Sequence, residues 1–232
     1  MTSYKAKQII LSSVLVLAFT SFLTGKTSQY VSGLSPFFSS VSQMEGNFFD
    51  RAKEKRFQSE LAYNKSTRNK IRQVILEYNT GLDETSSLLI PEWILAESKK
   101  YGYDPLFLTA LIITESSFYN WAKSNRGAHG LMQLKLATAV ALASETHLKW
   151  KGTPTLYDPE KNIALGAYYL NKMMTRFGDL TLALEAYNQG PSRLSRFLRK
   201  GYLPHKRYSR KVFKNYRKMT ENTQNIVENQ PI

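Results

Sequence analysis

Between Asp104 and Ser116 the chain spells a helix with almost no polar face. Pro105-Leu106-Phe107-Leu108-Thr109-Ala110-Leu111-Ile112-Ile113-Thr114-Glu115 is apolar nearly all round. A helix of that kind has to be surrounded by other elements, because no side of it can face water. Asp104 offers an N-cap acceptor, and Pro105 sits in the first turn, where its missing N–H costs nothing. The chain must therefore build a multi-element core around this segment, and its 42% apolar residues are enough to do so, which excludes wholesale disorder. Leu108, Leu111, Ile112 and Glu115 fall at i, i+3, i+4 and i+7, so a carboxyl takes the next place on an apolar stripe. A carboxyl there loses hydration and holds its proton nearer neutrality, as a general acid must. The alternative is a helix-end glutamate turned to water, which this helix alone favours.

The same punctuation marks other helices. Pro91 opens one that ends near Tyr101-Gly102. Asp158-Pro159 repeats the cap-and-proline device before Asn162 to Phe177, Gly178-Asp179 starts another helix, and Gly190-Pro191 stops it. Alternating strand patterns are scarce, so the class is mainly α. From Phe48 to Tyr78 the chain reads as a charged helix with Ile71, Val74, Ile75 and Tyr78 on one apolar face, ended by Gly81, Asp83 and Thr85. That segment suits a stalk, a partner site or an extension packed on the domain. Residues 26–44, rich in Ser and small residues with one Gly, read as a linker.

At the N-terminus, Lys5 and Lys7 precede an uncharged apolar run from Ile9 to Leu23. This is the pattern of an export signal or signal-anchor, oriented with the rest of the chain outside the cytoplasm. A buried core helix would show polar residues at helical spacing. No small-x-Ala site follows, which favours a retained anchor over residues 9–23. The division is then 1–25 signal or anchor, 26–85 linker and charged helix, 86–220 main domain with a basic C-terminal helix, and 221–232 tail.

Charge narrows the partners. The net +14 is spread unevenly: +3 over residues 1–30, +1 over 31–85, +1 over 86–190 and +9 over 191–232. The middle of the chain is nearly neutral and its ends are basic. Cysteine is absent and the three histidines, His129, His147 and His205, have no close spacing. That excludes disulfides, thiolate zinc sites and a cysteine nucleophile, and no metal or cofactor is expected. Tyr208, Val212, Tyr216 and Met219 form an apolar stripe in the basic C-terminal stretch. It reads as a helix docked on the domain, with attraction to anionic lipid headgroups or acidic polymer as the functional alternative. Nucleic acid is not an expected partner, because the chain is exported and carries no RNA-binding or recognition-helix motif.

Downstream of Glu115, Gly127-Ala128-His129-Gly130-Leu131-Met132-Gln133 is a glycine-bearing loop leading into a helix of Leu134, Ala137, Thr138 and Ala141. Its glycines let backbone approach a ligand, and Gln133 offers both a donor and an acceptor. Leu180, Ala183, Leu184 and Tyr187 make a stripe that ends in Tyr187-Asn188-Gln189-Gly190-Pro191, an aromatic and an amide suited to a sugar ring and its acetamido group. With Glu115-Ser116-Ser117-Phe118 and Tyr157-Asp158-Pro159-Glu160-Lys161-Asn162-Ile163-Ala164-Leu165-Gly166, these motifs stand in a fixed order. Over residues 88–218 the sequence resembles the lytic transglycosylases with a soluble-lytic-transglycosylase catalytic domain. It departs from their pattern after Gln133, where Leu134-Lys135-Leu136 replaces hydrophobic-Met-Pro and adds a cation.

The resemblance implies a lysozyme-like helical fold and cleavage of the MurNAc-β-1,4-GlcNAc bond of peptidoglycan in the bacterial periplasm or envelope. It implies Glu115 as acid and base, Ser116 and Gln133 as hydrogen-bonding partners of the muramyl residue, and Met132 lining the cleft. Tyr187 and Asn188 would bound the bond-breaking subsites, and Tyr208 would orient Glu115 or the sugar. Ordinary glycosidases use two carboxyls, whereas the other acids here sit at caps, in a first helical turn (Glu160) or on polar sides (Glu145, Glu185). One glutamate suffices if the sugar's own 6-hydroxyl closes a 1,6-anhydro ring. A hydrolytic muramidase and a non-catalytic peptidoglycan-binding scaffold are the alternatives. Asn162 reads as structural, packed near Gly166-Ala167, and His129 as pointing to solvent.

Overall fold

The computed structural model describes residues 27–228, with side chains described for residues 50–221. The expected signal or anchor over residues 1–25 lies outside the described residues. Among them, no helix is long and apolar enough to cross a membrane. The chain divides into two compact units, Met1–Leu61 and Ala62–Ile232.

Helix α1, Thr27–Leu76, begins well before the expected charged segment. The linker expected over residues 26–44 is therefore corrected to helix. Ser and Gly cost at most about 1 kcal/mol each in a helix and Pro36 about 3 kcal/mol, while elongating an existing helix adds one hydrogen bond for each other residue. In the first unit the side chains of residues 50–61 are nearly all solvent-exposed, the apolar Phe57 and Leu61 among them, with Gln58 Nε2 donating to Glu54 Oε1 at 2.7 Å one turn earlier.

In the second unit the last turns of α1 belong to the core. Ile71 is fully buried and Ile75 nearly so, with Val74 and Tyr78 packed beside them. Arg68 forms a forked ion pair with Glu92 of α2 (Glu84–Tyr101), its second bond at 3.0 Å. Of the three readings of residues 48–78, packing on the domain holds for its second half. Helix α2 starts seven residues before Pro91, capped by Asp83, which accepts from Ser86 N at 2.9 Å. The expectation that Pro91 opens it is corrected: the proline sits inside, buried beside Ile90, and tertiary burial outweighs the lost backbone bond.

Helix α3, Pro105–Ser116, is the central helix. Asp104 caps it through a 2.7 Å bond from Leu106 N, and Leu106 to Ile112 are all buried. After it come a short antiparallel pair, β1 (Ala128–His129) and β2 (Leu134–Lys135), then α4 (Leu136–Glu145) and a 3-10 turn, Thr153–Tyr157. Because Leu134 belongs to β2, α4 starts two residues late and buries Ala139, Leu142 and Ala143, leaving Ala137 and Ala141 exposed. Helices α5 (Pro159–Phe177) and α6 (Leu180–Gln189) open on Asp158 and Asp179, which accept from Lys161 N at 3.1 Å and Leu182 N at 2.8 Å. They pack on each other, and α5 also packs on α2.

Helix α7, Pro191–Arg199, leads to α8, Arg207–Glu228, so the tail expected from residue 221 is helical through Glu228. Helix α8 docks along α3. Val212 is fully buried, Phe213 and Tyr216 flank Phe107 at 6.4 and 6.1 Å, and the Tyr216 hydroxyl donates to Asp104 Oδ2 at 2.7 Å. The described fold is mainly helical, around a core that α1 helps to build.

Candidate active site

Glu115 stands in the last turn of α3 and is half-buried. Two residues on, Ser117 (φ 51°) and Phe118 (φ 59°) both take the left-handed conformation, which costs non-glycine residues about 1–3 kcal/mol each. Phe118 is fully buried, with Tyr78 at 5.7 Å, and this burial holds the turn that ends α3 at the glutamate. Burial pushes the Glu115 carboxyl up from its ordinary 4.5 to about 7, opposed by a hydrogen bond from Tyr208 and by the Lys211 charge. Near neutral pH such a group both gives and takes a proton.

Helix α8 reaches the end of α3 with three side chains at i, i+3 and i+7. The Tyr208 hydroxyl donates to Glu115 Oε1. Lys211 Nζ donates to the Thr114 carbonyl at 3.2 Å, and Asn215 Nδ2 to Thr114 Oγ1 at 2.9 Å. Burial and the neighbouring Glu115 charge hold the Tyr208 phenol well above 10, so it remains a donor. The sequence singled out Tyr208 but missed Lys211 and Asn215, although their helical offsets from Tyr208 were legible.

The glycine loop is locked by one side chain. Asn162, fully buried on α5, accepts from Met132 N at 2.7 Å and donates to the carbonyls of Leu156 (2.8 Å) and His129 (3.2 Å). Its assignment as structural agrees with this. Gly130 takes φ +79°, and a Cβ there would stand 2.2 Å from the Leu156 carbonyl oxygen and 2.3 Å from Asn162 Nδ2. At Gly166 a Cβ would stand 2.6 Å from Met132 Cβ, so α5 presses directly on the loop.

Several expectations change here. Met132 is fully buried against Gly166 and does not line an open cleft, because the loop folds it inward. Tyr187 is 7% exposed and its hydroxyl donates to the Met132 carbonyl at 2.8 Å. It therefore supports the loop from beneath, within electrostatic reach of Glu115, and does not present a ring face to solvent. His129, expected to face solvent, is buried with Nδ1 2.8 Å from the Tyr157 hydroxyl. Glu185, expected on a polar side, is 3% exposed and accepts from Ser209 N and Ser209 Oγ, each at 2.9 Å. It was misjudged because α6 buries five consecutive residues, Ala183 to Tyr187, and so has no polar side there.

The remaining candidates keep groups available. Gln133, at φ 47°, donates Nε2 to the carbonyls of Ala122 (3.1 Å) and Gly130 (3.0 Å), which orients its amide. Ser116 adjoins Glu115 and bonds only weakly back to the Ile112 carbonyl at 3.3 Å. Asn188 is exposed at the end of α6, and Lys135 is exposed ahead of α4. Glu145, the other acid expected on a polar side, is partly exposed and paired with Lys172 at 2.6 Å.

Residues 92–209 match the sequence model described as Transglycosylase SLT domain. A transglycosylase of Enterobacteria phage PRD1 is 40% identical over 99 residues, 43% of this chain and 34% of the phage protein. The membrane-bound lytic murein transglycosylase C of Edwardsiella ictaluri (strain 93-146) is 45% identical over 76 residues, 32% of this chain and 21% of that protein. Among solved structures, an inactive mutant of lytic transglycosylase Slt from Pseudomonas aeruginosa superposes with a TM-score of 0.50 at 28% identity, over 56% of this chain and 24% of that one. The chain thus spans about a third or less of the length of these relatives.

Proposed function

Since the chain belongs to the Transglycosylase SLT domain family, we propose that it is a peptidoglycan lytic transglycosylase with Glu115 as its acid and base. One observation carries the reading: a glutamate at the end of a buried helix, held near pH 7 by burial and hydrogen-bonded by a tyrosine from another helix. Protonated Glu115 gives its proton to the glycosidic oxygen as the bond from the muramyl C1 breaks, releasing the GlcNAc 4-hydroxyl. The carboxylate then takes the proton of the muramyl 6-hydroxyl as that oxygen bonds to C1. The product carries a 1,6-anhydro end, no water is consumed, and Glu115 returns to its protonated form.

Ser116, the oriented Gln133 amide and Asn188 are the groups we assign to the substrate, and Tyr208 holds the Glu115 carboxyl in place. Met132 and Tyr187 act beneath the loop. A single-glutamate reaction is supported by the engagement of the other acids. Asp104, Asp158 and Asp179 cap helices, and the buried Glu185 is bonded to Ser209. We further propose export to the periplasm or envelope, supported by Lys5, Lys7 and the apolar run of residues 9–23. Residues 186–220 hold eleven basic residues and no acid, which supports attraction to anionic lipid headgroups or to peptidoglycan carboxylates.

Mass spectrometry of muropeptides from digested sacculi tests the reaction. Wild type should release anhydro-muropeptides, and Glu115→Gln should lower the rate by at least about a hundredfold. Reducing-end products alone would establish a hydrolytic muramidase instead, and unchanged clearing by the variant would remove Glu115 from the chemistry. Fractionation with the mass of the mature N-terminus separates a retained anchor from a cleaved signal.

A further inference from the structure

Helix α8 starts without a cap of its own. Its first residue is Arg207 and its first turn contains no acid. The preceding Lys206 has no side-chain acceptor, and only its carbonyl accepts, from Arg210 N at 3.1 Å and Ser209 Oγ at 3.2 Å. The donors of that turn would be left without intrahelical partners. The structure fills one of these positions from another helix: Glu185 Oε1, on α6, accepts both the backbone N–H and the hydroxyl of Ser209 at 2.9 Å. Both residues are almost fully buried, at 3% and 1% exposure. A carboxylate at a helix N-terminus also faces the positive end of the helix dipole. Tyr208 is the residue immediately before Ser209, and its hydroxyl ends on Glu115.

We propose that Glu185 is a positioning residue, which pins the first turn of α8 through Ser209 so that Tyr208 meets Glu115. This rests on the reading of Glu115 as the acid and base, and it extends that reading to the acid's strength. The groups facing Glu115 are Tyr208 and Lys211 from α8 and Tyr187 from α6; those facing Tyr208 are Glu115, Tyr187 and Glu185. The Tyr208 bond draws the Glu115 carboxyl downward against the effect of burial. Letting the first turn of α8 slip would weaken that bond, raise the carboxyl further and misorient it. Replacing the Glu185 carboxyl by an amide changes its charge but keeps an acceptor for Ser209, so charge and position can be told apart.

The test measures the titration of Glu115 by 13C NMR of glutamate-labelled protein, its signal assigned with Glu115→Gln, alongside kcat and KM on sacculi. Glu185→Ala should raise the Glu115 pKa towards the value in Tyr208→Phe and lower kcat about tenfold with little change in KM, as loss of one orienting hydrogen bond predicts. Glu185→Gln keeps the acceptor and should restore most of kcat. The double variant Glu185→Ala/Tyr208→Phe should be no worse than Tyr208→Phe alone, because both act through one bond. Ser209→Ala, which keeps the carboxylate and the backbone bond, gives a milder shift in the same direction should Glu185→Ala fail to fold. The proposal is overturned if Glu115 titrates as in wild type in the Glu185 and Ser209 variants, or if the Glu185 and Tyr208 effects add. The NMR readout needs no substrate. It therefore separates this failure from failure of the lytic reading, which the wild-type products decide.

Discussion

A carboxyl that titrates near 7 ties the stability of the domain to its chemistry at Glu115. In the unfolded chain this group titrates at its ordinary 4.5, and folding raises it to about 7. Between those values the folded state holds more protons, so stability is greatest below the lower value and is lost as pH rises through the upper one. Glu115→Gln removes the penalty of ionising a buried group. At about pH 8 the variant should therefore be more stable than wild type by up to about 3 kcal/mol, the gap closing towards about pH 5, as read by urea denaturation. Activity shares the same group: kcat/KM should fall on the alkaline side with an apparent pKa close to that of Glu115. The residue was legible in the sequence as the next position on an apolar stripe. Its bond to Tyr208 was legible only as a family expectation, because 93 residues separate the two.

Elements were readable wherever local chemistry decides them. Asp104, Asp158 and Asp179 announced their helices, and all three side chains accept first-turn N–H groups. The reading failed where a helix is covered on more than one side, as at Glu185 on α6, since a periodicity count assumes one wet face. The glycine loop is an element fixed from outside, by Asn162 on α5. Asn162→Ala should strand the Met132 N–H and two carbonyls and cost about 2–4 kcal/mol, visible as a lower Tm. It should also lower kcat, because Gln133 follows Met132 directly.

For the molecule as a whole, the compact unit that carries Glu115 starts at Ala62, thirty residues before the family match at residue 92. The domain boundary expected at residue 86 falls inside that unit. A chain beginning at Ala62 should fold. One beginning at residue 86 loses Ile71 and Ile75, whose burial contributes about 1.5–3 kcal/mol each, together with Arg68 as partner of Glu92. Against a typical total of about 5–15 kcal/mol that loss should appear as a large drop in Tm, measured by circular dichroism. The concentration of charge at the ends of the sequence leaves residues 86–190 nearly neutral. Lowering salt should accordingly strengthen adhesion to anionic surfaces more than it alters catalysis.

Helical class, most helix starts and stops, the apolar frame of Glu115 and the order of the motifs were all determined by the sequence alone. They depend on neighbours within a turn or two, and near neighbours are written side by side. Tertiary structure decided that α1 completes the core, that Met132 and Tyr187 are buried under the loop, and that Glu185 caps a helix not its own. Each of these joins residues far apart in the chain. Such contacts follow from how helices pack, and no local pattern of hydrophobicity or capping specifies which distant partner a side chain will meet.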